Sequence, residues 1–108
     1  MERKIKSDGE KVRSIIADAG GQIVGRTKLQ KIAYLLEVAG VGDNFHFDYH
    51  HYGPYSEDLT RAASLASMVG DIDEKEKVAN WGGSYSIYTT STSSKENGIR
   101  QRLAQTAA

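Results

Sequence analysis

The sequence predicts an α+β domain, mainly helical and winged-helix-like, with three to four helices and a small antiparallel hairpin. Three observations predict it. Apolar residues recur at helical spacing in three segments, each opening on a cap residue and closing on glycine. The β-forming run SYSIYTT follows the third segment and suits pairing with the stretch just before it. The resulting order is helix, short strand, helix, strand-turn, helix, hairpin. That is the order of a winged helix-turn-helix, with 72–90 as the wing. The fit is approximate, because the link from Gly40 to Pro54 exceeds the short turn of the plain motif.

The first helix is expected to begin at Ser7. Ser7 and Glu10 have capping-box spacing, in which hydroxyl and carboxylate each satisfy a free backbone N–H. Val12, Ile15, Ile16 and Ala19 form its apolar stripe, and Gly20–Gly21 end it. Gln22–Val24 reads as a short extended piece. Thr27 and Gln30 repeat the capping-box spacing at the start of the second helix. Leu29, Ile32, Ala33 and Leu36 make its stripe, widened by Tyr34, Leu35 and Val38, and Gly40 closes it. A helix apolar over so much of its surface is expected at the centre of the fold.

Phe45 to Tyr49 alternates aromatic and polar side chains, as a strand does, with Phe45, Phe47 and Tyr49 facing the core. Gly53-Pro54 is a turn signal. Ser56 is the expected N-cap of a third helix, with Glu57 and Asp58 in the first turn where the helix dipole favours acids. Leu59, Ala62, Ala63 and Ala66 form its stripe, flanked by Leu65 and Val69. So many small residues predict tight packing on the second helix, up to Gly70. Ile72–Val78 and Ser84–Thr90 are the hairpin strands, joined through Trp81-Gly82-Gly83. A third capping-box spacing, Ser93 to Glu96, predicts a last helix over about 94–105 with Ile99 and Leu103, its QTAA end fraying.

The totals limit what the chain does. Its 108 residues suit a single domain over 1–108, with a core over about 7–90. It has no cysteine, which removes disulfides, thiolate zinc sites and cysteine nucleophiles. No apolar run approaches the roughly 20 residues that span a bilayer, and MERKIKSDGE lacks a signal-peptide core, so a cytoplasmic protein with no membrane contact is expected. Formal net charge is zero but unevenly spread. Residues 1–36 hold eight bases and four acids, and residues 37–77 hold three bases and nine acids. A balanced, uneven chain suits a protein partner or a homodimer surface better than nucleic acid, whose binders carry a basic surplus.

The stretch FDYHHYGPYSEDL, Phe47 to Leu59, concentrates histidine, tyrosine and the only proline. On a strand, His46, Asp48 and His50 share one face and match the ligand types of a facial metal triad. Adjacent strand ligands splay apart, however, and the alternation puts these polar groups toward water. No serine stands in a nucleophile elbow, and no acidic pair is placed beside His50 or His51. The expectation is therefore no catalytic residue, no metal and no cofactor. A recognition helix over 56–69 would present Glu57 and Asp58 to DNA phosphates, which is unfavourable, and only Arg61 and Ser64 invite contact. The basic residues Arg3, Lys4, Lys6, Lys11 and Arg13 read as a solvated face.

Two motifs together resemble a known family. GRTKLQKIAYLLEVAG (Gly25–Gly40) is similar to the KLQK helix of the Panacea antitoxin domain and of YwgA-like bacterial proteins. FDYHHYGPYSEDLTRA (Phe47–Ala62) resembles the aromatic Tyr-Gly-Pro run that precedes a helix in those proteins. The matching positions are Lys28, Leu29, Gln30, Lys31, Tyr34, Tyr52, Gly53, Pro54, Tyr55 and Leu59, within a span from Gly25 to Ala66. The resemblance implies a small, largely helical, non-enzymatic domain that binds protein. Its members look like antitoxins that neutralise a toxin partner, adaptors that present a partner to a protease, or proteins of phage and mobile-element settings. It carries no catalytic residues, and WGGSYSIYTTSTSSKENG matches no part of its pattern.

A protein-interaction module of antitoxin or adaptor type is thus the first expectation. Its partner-binding candidates are His51, Tyr55, Arg61, Trp81 and Tyr88, since Trp, Tyr and Arg dominate interface hot spots. Lys28, Leu29, Gln30, Tyr34, Tyr52, Gly53 and Pro54 are expected to be structural, with Tyr52 and Tyr55 packed back on the second helix. A winged-helix transcription regulator is the second expectation, and a metal-dependent enzyme using His46, Asp48 and His50 the third.

Overall fold

The computed structural model describes residues 7–51, 53–90 and 98–107. Among them are four helices, α1 (Asp8–Asp18), α2 (Arg26–Val38), α3 (Glu57–Val69) and α4 (Gly98–Ala107). The strands are β1 (Gln22–Val24), β2 (Asp48–His50), β3 (Gly53–Tyr55), β4 (Asp73–Val78) and β5 (Ser84–Thr89). The fold is α+β. One antiparallel sheet has the order β1-β5-β4, and β2 and β3 form a separate hairpin. Pairing of β1 with the last strand of the sheet is compatible with a winged helix. No helix among the described residues is long and apolar enough to cross a membrane. Arg3, Lys4, Lys6, Tyr52 and the Ser93–Glu96 cap pattern lie outside the described residues.

Helix α1 opens as its residues dictate. The Glu10 N–H donates to Ser7 Oγ (3.2 Å), and the Ser7 N–H donates to Glu10 Oε1 (3.0 Å). Val12, Ile15 and Ile16 are buried. Helix α1, rather than α2, is the hub of the fold, because it touches each of the other three helices as well as β1 and β5. The small-residue stripe of α3 (Leu59, Ala62, Ala63, Ala66) is buried as expected, but α3 packs closely on α1 and not along α2. Gly9 permits this approach. A Cβ there would run into the Asp71 carboxylate and lie 3.5 Å from the Ala66 Cα.

The start of α2 corrects the sequence expectation. Its N-cap is Gly25, held at φ 101°, and no side chain caps the helix. Few residues but glycine adopt that backbone, so the helix begins before Thr27. Gln30 is also needed elsewhere. Its amide reaches across to Ser56, so it does not fold back to complete a capping box. Leu29, Ile32, Ala33 and Leu36 are buried, whereas Val38 is exposed, as are Leu65 and Val69 of α3.

The aromatic stretch is corrected too. Phe45 is buried and Phe47 packs against the core, but both precede β2, and Tyr49 is 79% exposed. The Tyr49 hydroxyl instead meets that of Tyr34 (3.1 Å), while the Tyr34 ring meets Phe47 edge-on at 5.4 Å. Gly53 and Pro54 are not the turn. They are strand residues opposite His50 and Tyr49, so the reversal comes before them. β3 lies against α2, and Ser56 caps α3 by accepting from the Leu59 N–H (3.1 Å).

In the larger sheet, β5 is central and pairs Ile23↔Tyr88 with β1 and Glu74↔Tyr88 with β4. β4 is an edge strand. Glu74 and Glu76 accept from the Ser86 and Ser84 hydroxyls across the ladder (2.8 and 3.0 Å), and Lys75 and Lys77 alternate with them along the strand. Trp81, in the connection, occupies the space that a Gly83 Cβ would need.

Helix α4 is fastened by Arg100, which is only 5% exposed. Its Nε donates to Asp18 Oδ2. One Nη donates to the Val41 carbonyl (3.1 Å), and the other to Ser14 Oγ (2.8 Å) and Asp43 Oδ2 (2.7 Å). Burial disfavours the guanidinium's charge, yet Asp43 and Asp18 outweigh it and raise its pKa. Toward the end of α4, Ala107 packs on the core and Gln105 Nε2 donates to the Asp18 carbonyl (3.2 Å).

Candidate functional site

Because α3 leans on α1, a cleft of about 720 Å³ opens between α2 and α3. One wall is the outward face of α2, with Thr27, Lys31, Tyr34 and Leu35. The other wall is Thr60, Ala63 and Ser64 of α3. Pro54 and Tyr55 of β3 close one side, and Glu74 and Tyr88 of the sheet close the other.

Gln30 bridges the two walls. The Ser56 N–H donates to Gln30 Oε1 (2.8 Å), while Gln30 Nε2 donates to the Ser56 carbonyl (3.0 Å) and to Thr60 Oγ1 (3.1 Å). The Tyr55 hydroxyl lies 2.7 Å from the same Thr60 oxygen. A buried amide satisfied at both ends fixes the width of the cleft, since breaking it would strand the Ser56 backbone N–H. The K-L-Q-K and G-P-Y segments therefore meet at the cleft through Gln30, Pro54 and Tyr55.

The partner-binding candidates separate into two groups. Tyr55 and Tyr88 line the cleft. Tyr88 is not a surface residue, however, since only 3% of it is exposed. It pairs with Ile23 and Glu74 on either side and lies at the foot of the cleft. Burial pushes its hydroxyl pKa up; Glu74 adds to the effect and Arg26 opposes it. His51, Arg61 and Trp81 are exposed and stand outside the cleft, with Arg61 paired to Asp58 on its own helix. Of the structural candidates, Leu29 is buried, Gln30, Tyr34 and Pro54 line the cleft, Gly53 lies in β3, and Lys28 lines a neighbouring hollow beside Arg26 and Lys31. The hydrogen bond to Tyr49, together with mutual repulsion of the two phenolates, raises the Tyr34 pKa.

The histidines do not converge. His46 Nε2 lies 3.1 Å from Asp48 Oδ1, whereas the His50 ring sits against Tyr55 at 5.2 Å. No group of three His, Asp or Glu side chains placed to hold a metal ion occurs among the described residues.

Sequence reasoning missed Arg26, Thr60, Ser64 and Glu74 as wall residues. One signal was available. Tyr34 and Leu35 widen the apolar face of α2 beyond what its neighbours cover, and an uncovered apolar margin beside small residues marks a groove.

Among curated proteins, the chain is 38% identical over 68 residues to the uncharacterized protein YwgA of Bacillus subtilis (strain 168). The matched stretch is 62% of this chain and 40% of that protein, so the chain spans well under half of the relative's length. This supports the YwgA-like, bacterial part of the resemblance. No protein-family model matches the chain, and no solved structure matches it.

Proposed function

We propose that the chain is a non-enzymatic protein-interaction module of the antitoxin or adaptor type, and that the cleft between α2 and α3 receives its partner. The observation that carries this reading is the cleft itself. It is open, of binding-site size, and walled by tyrosine, proline, leucine and alanine around a few placed polar groups. Its lining contains one carboxylate, Glu74, and no histidine, which is a poor set for acid–base chemistry. Six of the residues that carry the resemblance to Panacea and YwgA-like proteins, Leu29, Gln30, Lys31, Tyr34, Pro54 and Tyr55, line this cleft, which is why a binding role is carried over and a reaction is not.

Affinity capture from the source cell tests the reading. Native chain and a Ser64→Trp variant, whose indole fills the cleft from an exposed helix position, are used in parallel. The expected result is one reproducible protein partner with the native chain and its loss with the variant. Recovery of no protein partner with either bait, under several conditions, would count decisively against the proposal.

A winged-helix DNA-binding regulator is the second reading, favoured by the β1-β5-β4 order alone. Glu57 and Asp58 at the start of α3 oppose it. A random duplex that shifts at low salt, and weakens steeply as salt rises, would move it to first place.

A further inference from the structure

The cleft runs into a second hollow of about 550 Å³, since Arg26, Thr27 and Lys31 line both. The two ends differ in chemistry. At the cleft end the walls are apolar and aromatic, with Leu35, Tyr34, Pro54 and Tyr55. At the other end, Arg26, Lys28 and Lys31 stand beside the Ser84 and Tyr85 side of the sheet, with no acid in the lining. Glu74, the one acid of the combined groove, is engaged by the Ser86 hydroxyl (2.8 Å) and lies 4.0 Å from Arg26. Lys31 is exposed and makes no ion pair among the described residues.

We infer that this groove takes a short segment of a partner protein that carries a bulky apolar side chain at one end and two or more carboxylates at the other. The inference rests on the protein-interaction reading and names the chemistry of its ligand. The apolar side chain enters between Tyr34, Leu35 and Ala63, where burial rewards it. The carboxylates meet Lys31 and Arg26 at the basic end, where charge fixes direction and register. A nucleic acid backbone would satisfy the cations but leave the apolar half of the groove empty. Glu57 and Asp58 at the head of α3 would also repel it.

The test is selection of random displayed peptides on the whole chain, followed by anisotropy titration of the enriched peptides. The expected consensus joins Leu, Phe or Trp to neighbouring Asp or Glu. Lys31→Glu is expected to weaken such a peptide about tenfold or more, the scale of one lost ion pair at a defined site. Ser64→Trp should weaken it too. Lys75→Glu, on β4 and outside the groove, should not. A peptide with its acids changed to lysine should regain affinity for the Lys31→Glu chain.

A neutral or basic consensus, no enrichment at all, or acidic peptides indifferent to both groove variants would overturn the inference. So would self-association of the chain that Lys31→Glu abolishes, because the groove would then hold a second copy. Duplex DNA bound more tightly than any peptide and lost with Lys31→Glu would overturn it as well. A captured partner that ignores Lys31→Glu sinks only the acidic-segment inference. Absence of any partner sinks the protein-interaction reading beneath it.

Discussion

The two flanks of α2 make opposite use of polar residues. On the α4 flank, Arg100 is buried among Asp18, Asp43, Ser14 and a backbone carbonyl. On the α3 flank, one amide, Gln30, spans a gap that stays open. Charge sealed from water locks elements together because removing either partner strands the other. A neutral bridge holds two walls apart at lower cost and leaves room between them. The difference teaches which flank is scaffold and which is available to a ligand.

The strongest way to break the comparison is Arg100→Ala. Two buried carboxylates lose their cation, so the expected loss is about 3–5 kcal/mol, read as a fall in the denaturant midpoint. An effect below 1 kcal/mol would mean that α4 is dispensable. Gln30→Ala comes next, at about 2 kcal/mol for the stranded Ser56 N–H. Unlike Arg100→Ala, it should also weaken any cleft ligand, because the wall spacing relaxes. Equal ligand binding in native and Gln30→Ala chains would deny the amide its spacing role.

A smaller effect is expected from Tyr88. Its folded pKa is raised above the ordinary 10.0, so the folded state holds the proton longer than the unfolded one. The contribution is complete below pH 10 and declines as pH climbs toward the folded value. Tyr88→Phe should flatten that alkaline decline in a pH series of thermal midpoints. Least of all, Ser64→Trp and Lys31→Glu should shift stability by no more than about 0.5 kcal/mol, since both positions are exposed. A larger loss would show that the α3 flank is scaffold after all.

Local rules made much of the fold legible. The Ser7–Glu10 box and the Ser56 cap depend on residues three apart, and each formed as its spacing predicts. The central stripes of α1, α2 and α3 were legible because periodicity marks what is buried. Their margins were not: Val38, Leu65 and Val69 fit the apolar pattern, yet they are exposed. Thr27 and Gln30 show a local signal defeated by a distant one, because Gln30 serves a residue 26 positions away. The Arg100 cluster joins positions 82 and 57 residues apart, a separation at which spacing carries no information. The cleft was hidden for the same reason. It exists because α3 chose α1 over α2, and small residues such as Ala62 and Ala63 suit either neighbour equally.

One consequence of the β4 alternation concerns crowding of like molecules. Among the described residues, the outer rim of that strand pairs with no other strand, which makes it a place where another strand could add. Two copies laid rim to rim in antiparallel fashion are related by an axis normal to the sheet. That symmetry sets residues of the same parity opposite one another, so in the register centred on Glu76 glutamate faces glutamate on one surface and Lys75 faces Lys77 on the other. The rim thus rejects its own duplicate. Replacing Lys75 and Lys77 by threonine would remove half of that protection and invite ribbon-like assembly.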